Sequence, residues 1–138
     1  MKQANVHVVP DAMVVLGESG GDSETAAVSL IEFDAGTERL KVWEGKAKAY
    51  AGLAGRALYG ASRWTVVALV PSARRARAVA EAVTRAGAGH IVRVGILDAL
   101  LTARALEPVL WKASALAGRA DAPPTESLMS GLRVLLEP

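Results

Sequence analysis

The chain contains no cysteine, which excludes disulfide frameworks, zinc-thiolate sites and cysteine nucleophiles and suits a cytoplasmic location. Its two histidines, His7 and His90, are too few and too far apart to suggest a histidine-rich metal site. Aromatic residues make up 4% against 51% apolar residues, so the core must be built mainly from Ala, Val and Leu. No apolar run reaches the ~20 residues of a membrane helix, and the N-terminus lacks the apolar centre of a signal peptide. Neither sign of charge dominates: sixteen Lys and Arg face fourteen Asp and Glu, a formal net of +2. That balance permits an anionic partner without arguing for one. Neither a dinucleotide-binding glycine fingerprint nor a Walker sequence occurs.

What is present fits one domain over residues 1–138, long enough to bury a core without staples. Val6 to Val9 is a short β-branched run stopped by Pro10. Residues 13–16 and 26–33 read as a β-hairpin whose tip, Gly17 to Asp22, is turn chemistry. Thr37 is a natural N-cap, and Leu40, Trp43, Ala47, Tyr50, Ala54 and Ala57 form the stripe of an amphipathic helix ending near Gly60. Thr65 to Val70 reads as a buried strand. Pro71-Ser72 then starts a helix to Ala86, with Arg74, Arg75, Arg77 and Arg85 outward and Gly87 and Gly89 ending it. A strand over His90–Leu97 and a short helix capped by Asp98 through about Ala105 follow.

Beyond Pro108, residues 109–113 read as a strand around Trp111, with helix an alternative. Residues 117–124 read as loop, and 125–129 as a last helical turn before the apolar Leu132–Leu136. Residues 115–138 look like a variable C-terminal extension. The order predicts an α/β fold: a mixed central sheet with an N-terminal β-hairpin, flanked by helices.

Chemistry concentrates between Pro10 and Tyr50. Alternate residues of a strand share a face, so Glu32 and Asp34 point together. Asp11 joins them if residues 13–16 pair beside 26–33. Three converging carboxylates repel unless a cation lies among them, and hard oxygen ligands favour Mg²⁺ or Mn²⁺. The plainer readings are a turn role for Asp11 and a turn or cap for Asp34. Glu32, between Ile31 and Phe33, is harder to dismiss, because an ionisable group there must be paired or functional.

Lys46 and Tyr50 are one helical turn apart and can lean toward one point. Lys46 is either a phosphate-holding cation or a solvated flank; Tyr50 fits the buried stripe. Arg74 and Arg77 are candidate DNA contacts, although Arg77 and Glu81 also form an i,i+4 surface pair. Trp43, Trp64 and Trp111 read as core or core-edge anchors.

The ordered set Pro10-Asp11, Glu32-Phe33-Asp34-Ala35-Gly36-Thr37-Glu38, Lys46 and Tyr50 resembles the plasmid replication-relaxation protein family, itself similar to the PD-(D/E)XK nuclease superfamily. Arg63 to Val67, the Pro71-Ser72 start with its arginine-bearing helix, and Pro108 to Trp111 also match that pattern. The likeness covers roughly residues 8–114.

The resemblance implies a restriction-endonuclease-like fold with a hairpin presenting the acids, and magnesium-dependent phosphodiester hydrolysis in active members. Asp11 matches the first metal-binding acid and Glu32 the second. The superfamily's lysine would fall at Asp34, which removes a cation from the attacking hydroxide, and Lys46 is the candidate replacement. The superfamily's first helix is missing before residue 6, so a longer protein is expected, with a winged-helix DNA-binding region ahead of this domain.

The expected function is DNA-directed, in plasmid or mobile-element replication. The expected site is Asp11, Glu32, Asp34 and Lys46 with Mg²⁺ or Mn²⁺ held by the three acids. The expected partners are DNA and either a second copy or other replication and transfer proteins. The alternatives are a non-catalytic DNA- or protein-binding module on the same fold, and a small-molecule-binding domain with a closed apolar pocket.

Overall fold

The computed structural model describes residues 9–17, 27–104 and 107–129. In chain order these form β1 (Ala12–Leu16), β2 (Ala27–Phe33), α1 (Leu40–Leu53), β3 (Arg63–Val70), α2 (Ala73–Arg85), β4 (Val92–Ile96), α3 (Leu97–Thr102), β5 (Leu110–Lys112) and α4 (Ala113–Gly118). The strands make one mixed sheet in the order β1-β2-β3-β4-β5. The outer pairs, β1 with β2 and β4 with β5, are antiparallel, and the two inner pairs are parallel. The hairpin and the mixed sheet are those expected from the sequence.

Strand alternation divides the core into two layers. Val28 and Leu30 of β2, Val66, Ala68 and Val70 of β3, and Val92 and Val94 of β4 pack beneath Trp43, Ala47 and Tyr50 of α1 and Ala76, Val79 and Val83 of α2. Leu116 of α4 joins the same layer. On the opposite face Ile31, Val67, Leu69, Val109 and Leu110 form a smaller cluster, with Leu97 and Leu100 of α3 against it. Both crossover helices therefore lie on one face. Residue 32 follows 28 and 30 on that face, so a carboxylate enters the helix-covered layer.

Several boundaries differ from the sequence reading, each for a physical reason. Helix α1 starts at Leu40, and its N-cap, Arg39, makes no side-chain capping bond; Thr37 lies ahead of the helix. It stops at Leu53, short of Gly60. Gly55 and Gly60 then take positive φ, and Tyr59 and Gly60 form a tight turn closed by the Leu58–Ala61 bridge, the geometry of a two-residue hairpin. Asp98 sits within the first turn of α3, which begins at Leu97, and favours the helix through its dipole.

The residues after 112 differ most. Alanine-rich 113–118 is helical where loop was expected from 117 onward. Residues 125–129 are not a helix. The extended backbone set by Pro123-Pro124 carries Glu126 into an antiparallel bridge with Leu110. The Leu110 N–H donates to Glu126 O at 2.8 Å, and Arg93 pairs with Glu126 at 2.8 Å. The runs 6–8 and 132–136, the hairpin tip from residue 18 and Ala105 lie outside the described residues.

Helix α2 matches its prediction closely. Ser72 is the N-cap, and its hydroxyl accepts from the Arg75 N–H at 3.1 Å. Where β4 passes β5, Gly95 is required by space: a Cβ there would lie 2.5 Å from Cδ2 of Leu110 and 3.4 Å from Cδ2 of Leu69. Leu110 is itself fully buried and cannot retract freely. Gly95→Ala is accordingly expected to cost about 1–3 kcal/mol through overpacking. Urea denaturation checks this, and a change below ~0.5 kcal/mol would show that Leu110 moves aside.

Candidate functional site

The C-terminal end of β2 gathers most of the residues singled out in the sequence, in two linked sets. In the first, Glu32 is 2% exposed and lies under α1. The Tyr50 hydroxyl donates to its Oε1 at 2.7 Å, and Lys46 Nζ stands 3.5 Å from its Oε2. Lys46 also approaches Glu38 at 3.1 Å and sits 5.1 Å from the centre of the Trp43 ring. The i,i+4 spacing of Lys46 and Tyr50 does bring both to one carboxylate.

In the second set, Asp34 is 6% exposed and just past the strand. Its Oδ2 accepts from Trp43 Nε1 at 2.7 Å and from Arg75 Nε at 2.9 Å, while Oδ1 accepts from the Gly36 N–H. Gly36 has φ +85°, and a Cβ there would lie 3.1 Å from Cγ of Pro71. The turn that folds the backbone N–H onto Asp34 therefore suits glycine. Arg75 also donates to the main-chain oxygen of Glu38. Glu38 thus joins the sets, its carboxylate on Lys46 and its carbonyl on Arg75.

Asp11 is exposed and acts locally. Its Oδ2 accepts from the Phe33 N–H at 2.8 Å, and its own N–H donates to Ile31 O at 2.9 Å. It closes the open end of the β1–β2 ladder. Among the described residues, no three His, Asp or Glu side chains gather so as to hold a metal ion. The expected three-carboxylate set does not fit one as arranged, since the Asp34 carboxylate already has N–H donors on both oxygens and a guanidinium beside it.

Two partners go beyond the sequence reading. Trp43 is a core residue as expected, but a buried indole N–H needs an acceptor, and Asp34 supplies it. Arg75, expected outward with its neighbours, lies four residues before Val79, at the border of the buried stripe, and turns in toward Asp34. Arg74 and Arg77 are exposed as expected, with Arg77 Nε on Glu81 at 3.0 Å.

No protein-family model, curated protein or solved structure matches this chain. Function has to be argued from the site itself. One further cavity, about 380 Å³, lies near the start of β2 and β3, away from Glu32 and Asp34. Apolar side chains, among them Leu16, Val28, Val67 and Leu110, make up most of its lining, with Ser29, Thr65 and Arg93 beside them.

The site's electrostatics give a pH signature. Burial, reinforced by the bond to Glu32 and by nearby negative charge, pushes the Tyr50 pKa far above its ordinary value. For Lys46, burial pulls the pKa down, but Glu38 and Glu32 outweigh it and the net shift is upward. Both shifts favour the protonated form in the folded state. Their stabilisation is therefore complete below about pH 10 and is lost as pH rises through the alkaline range. Unfolding free energy should fall above about pH 10, and Tyr50→Phe should flatten that decline. Denaturant titrations at successive pH values check it, and an equally steep fall in the variant would remove Tyr50 as the cause.

Proposed function

We propose that this chain is a nucleic-acid-binding module on a nuclease-like α/β scaffold, in which the acidic end of β2 serves as a structural hub. One observation carries the reading. Asp34, at the position where the resemblance to the PD-(D/E)XK superfamily implies a lysine, is buried and engaged by Trp43 and Arg75. A carboxylate held by a protein cation has its charge neutralised and its lone pairs turned inward, which suits tying β2, α1 and α2 together. The hub also holds the N-terminal end of α2 through Arg75, and Arg74 and Arg77 project from the first two turns of that helix. The setting is plasmid or mobile-element maintenance in the cytoplasm, with DNA as the partner.

Arginines that meet phosphates add salt-sensitive affinity without reading sequence. Binding of labelled DNA should weaken steeply with salt, and the Arg74→Ala/Arg77→Ala pair should reduce the slope of log affinity against log salt by about 2. An unchanged slope would remove α2 from the interface.

A second reading, a magnesium-dependent DNA endonuclease, is favoured by one contact: Lys46 reaches Glu32 from the neighbouring helix, as a relocated catalytic lysine would. Supercoiled plasmid incubated with Mg²⁺ or Mn²⁺ separates the two. The binding module leaves it intact, whereas metal-dependent nicking abolished in a Glu32→Ala variant that circular dichroism shows to be folded would establish the hydrolase.

A further inference from the structure

Where α2 meets β5 and α4, a cavity of about 290 Å³ opens beside Ala76 and Leu116 at the edge of the core. Arg74 and Arg77 line one wall, Trp111 another, and Ala73, Leu116 and Ala120 contribute small apolar surface. We propose that this cavity is a nucleotide slot for single-stranded DNA, in which a base lies against Trp111 and its flanking phosphates meet Arg74 and Arg77. The inference rests on the nucleic-acid reading above and adds to it a site and a strand preference.

Four features support it. Arg74 is exposed and has no ion-pair partner among the described residues, so its charge is available to a ligand. Arg77 uses Nε on Glu81, which leaves the end of its guanidinium free and holds the side chain in place. Trp111 is only partly buried, and its indole N–H donates to Ala122 O at 2.6 Å. The ring is thus fixed at its edge by the fold and needs no ordering when a base arrives. Repulsion from acids is limited too, because Glu81 is paired with Arg77 and Asp121 with Arg119 at 2.7 Å.

The combination discriminates between ligand classes. Phosphates alone would be served by arginines on an open surface. An apolar-floored recess beside an aromatic ring adds area for a flat, uncharged ring system. Aromatic–base stacking next to cationic groups is how single strands are held with little sequence preference. A base paired within a duplex presents no free face to such a recess. The volume lies at the low end of small-molecule sites, which fits one nucleotide better than a longer segment.

The test uses the whole chain and three fluorescently labelled probes of equal length: oligothymidylate, an abasic oligomer with the same phosphate backbone, and a duplex. Anisotropy titrations should give oligothymidylate the highest affinity, with the abasic strand weaker by roughly five- to 150-fold, the range for one stacked base. Trp111→Leu should bring the two single strands together, provided its circular dichroism and melting remain those of a folded protein; the abasic comparison needs no variant. Equal binding of all three probes would overturn the slot and leave the DNA-binding reading intact. Binding of none would overturn both.

Discussion

Asp34→Ala is expected to cost about 3–5 kcal/mol of folding stability, the penalty for removing one member of a buried ion pair. The side chain of Asp34 is wholly buried and that of Arg75 largely so. The substitution strands the Arg75 guanidinium with only the Glu38 carbonyl, leaves the Trp43 indole N–H without an acceptor, and frees the Gly36 turn. A buried unpaired charge is worse than no charge at all. Asp34→Ala/Arg75→Ala should therefore be less destabilised than the sum of the single variants. Asp34→Asn retains one acceptor oxygen and should fall between wild type and alanine. Urea unfolding of wild type, the two single alanine variants, the double variant and Asp34→Asn measures this. Strict additivity, or a loss near that of a surface substitution, would mean that Arg75 does not depend on Asp34.

Glu32→Ala is expected to cost about 2–3 kcal/mol, because it leaves the Tyr50 hydroxyl buried without an acceptor and withdraws one of the two acids facing Lys46. Tyr50 is 1% exposed, so water cannot readily replace the lost bond. Glu32→Gln keeps an acceptor for Tyr50 and should cost only about 1 kcal/mol. The ordering Ala below Gln below wild type, read from chemical denaturation, separates a bond-holding role from a charge requirement. If Gln were as damaging as Ala, the carboxylate charge beside Lys46 would matter more than the bond to Tyr50. Neither variant should alter the salt slope of DNA binding, since that slope rests on Arg74 and Arg77.

Much of this site is legible in the sequence. Glu32 sits among Leu30, Ile31 and Phe33, and an acid in such company must have partners. The Lys46–Tyr50 spacing supplies them from one helix. Ser72 announces the start of α2, and the β-branched run 65–70 announces the central strand. The hub at Asp34 is less visible, because its two partners differ in kind. Trp43 reads as an ordinary core residue until its N–H is counted, and Arg75 is separated from Asp34 by a whole α–β unit.

Arg75 stands apart from the other α2 arginines in one respect, since its i,i+4 relation to Val79 sets it at the edge of the buried stripe. The chain past Lys112 is obscured for another reason. Glu126 finds its place by pairing with Leu110, a tertiary contact that overrides the weak helical signal in residues 125–129, while a loop from 117 onward gives too little weight to the alanines of 113–118.

The magnesium dependence of unfolding tests the structural hub most directly. If Glu32 and Asp34 are satisfied by Tyr50, Lys46, Trp43 and Arg75, adding Mg²⁺ should leave the unfolding free energy of wild type and of Glu32→Ala equally unchanged. If they form a metal centre, wild type alone should gain stability with metal, by about 2.7 kcal/mol at one hundred times the dissociation constant, and Glu32→Ala should not. That second pattern would contradict the hub and return the site to catalysis.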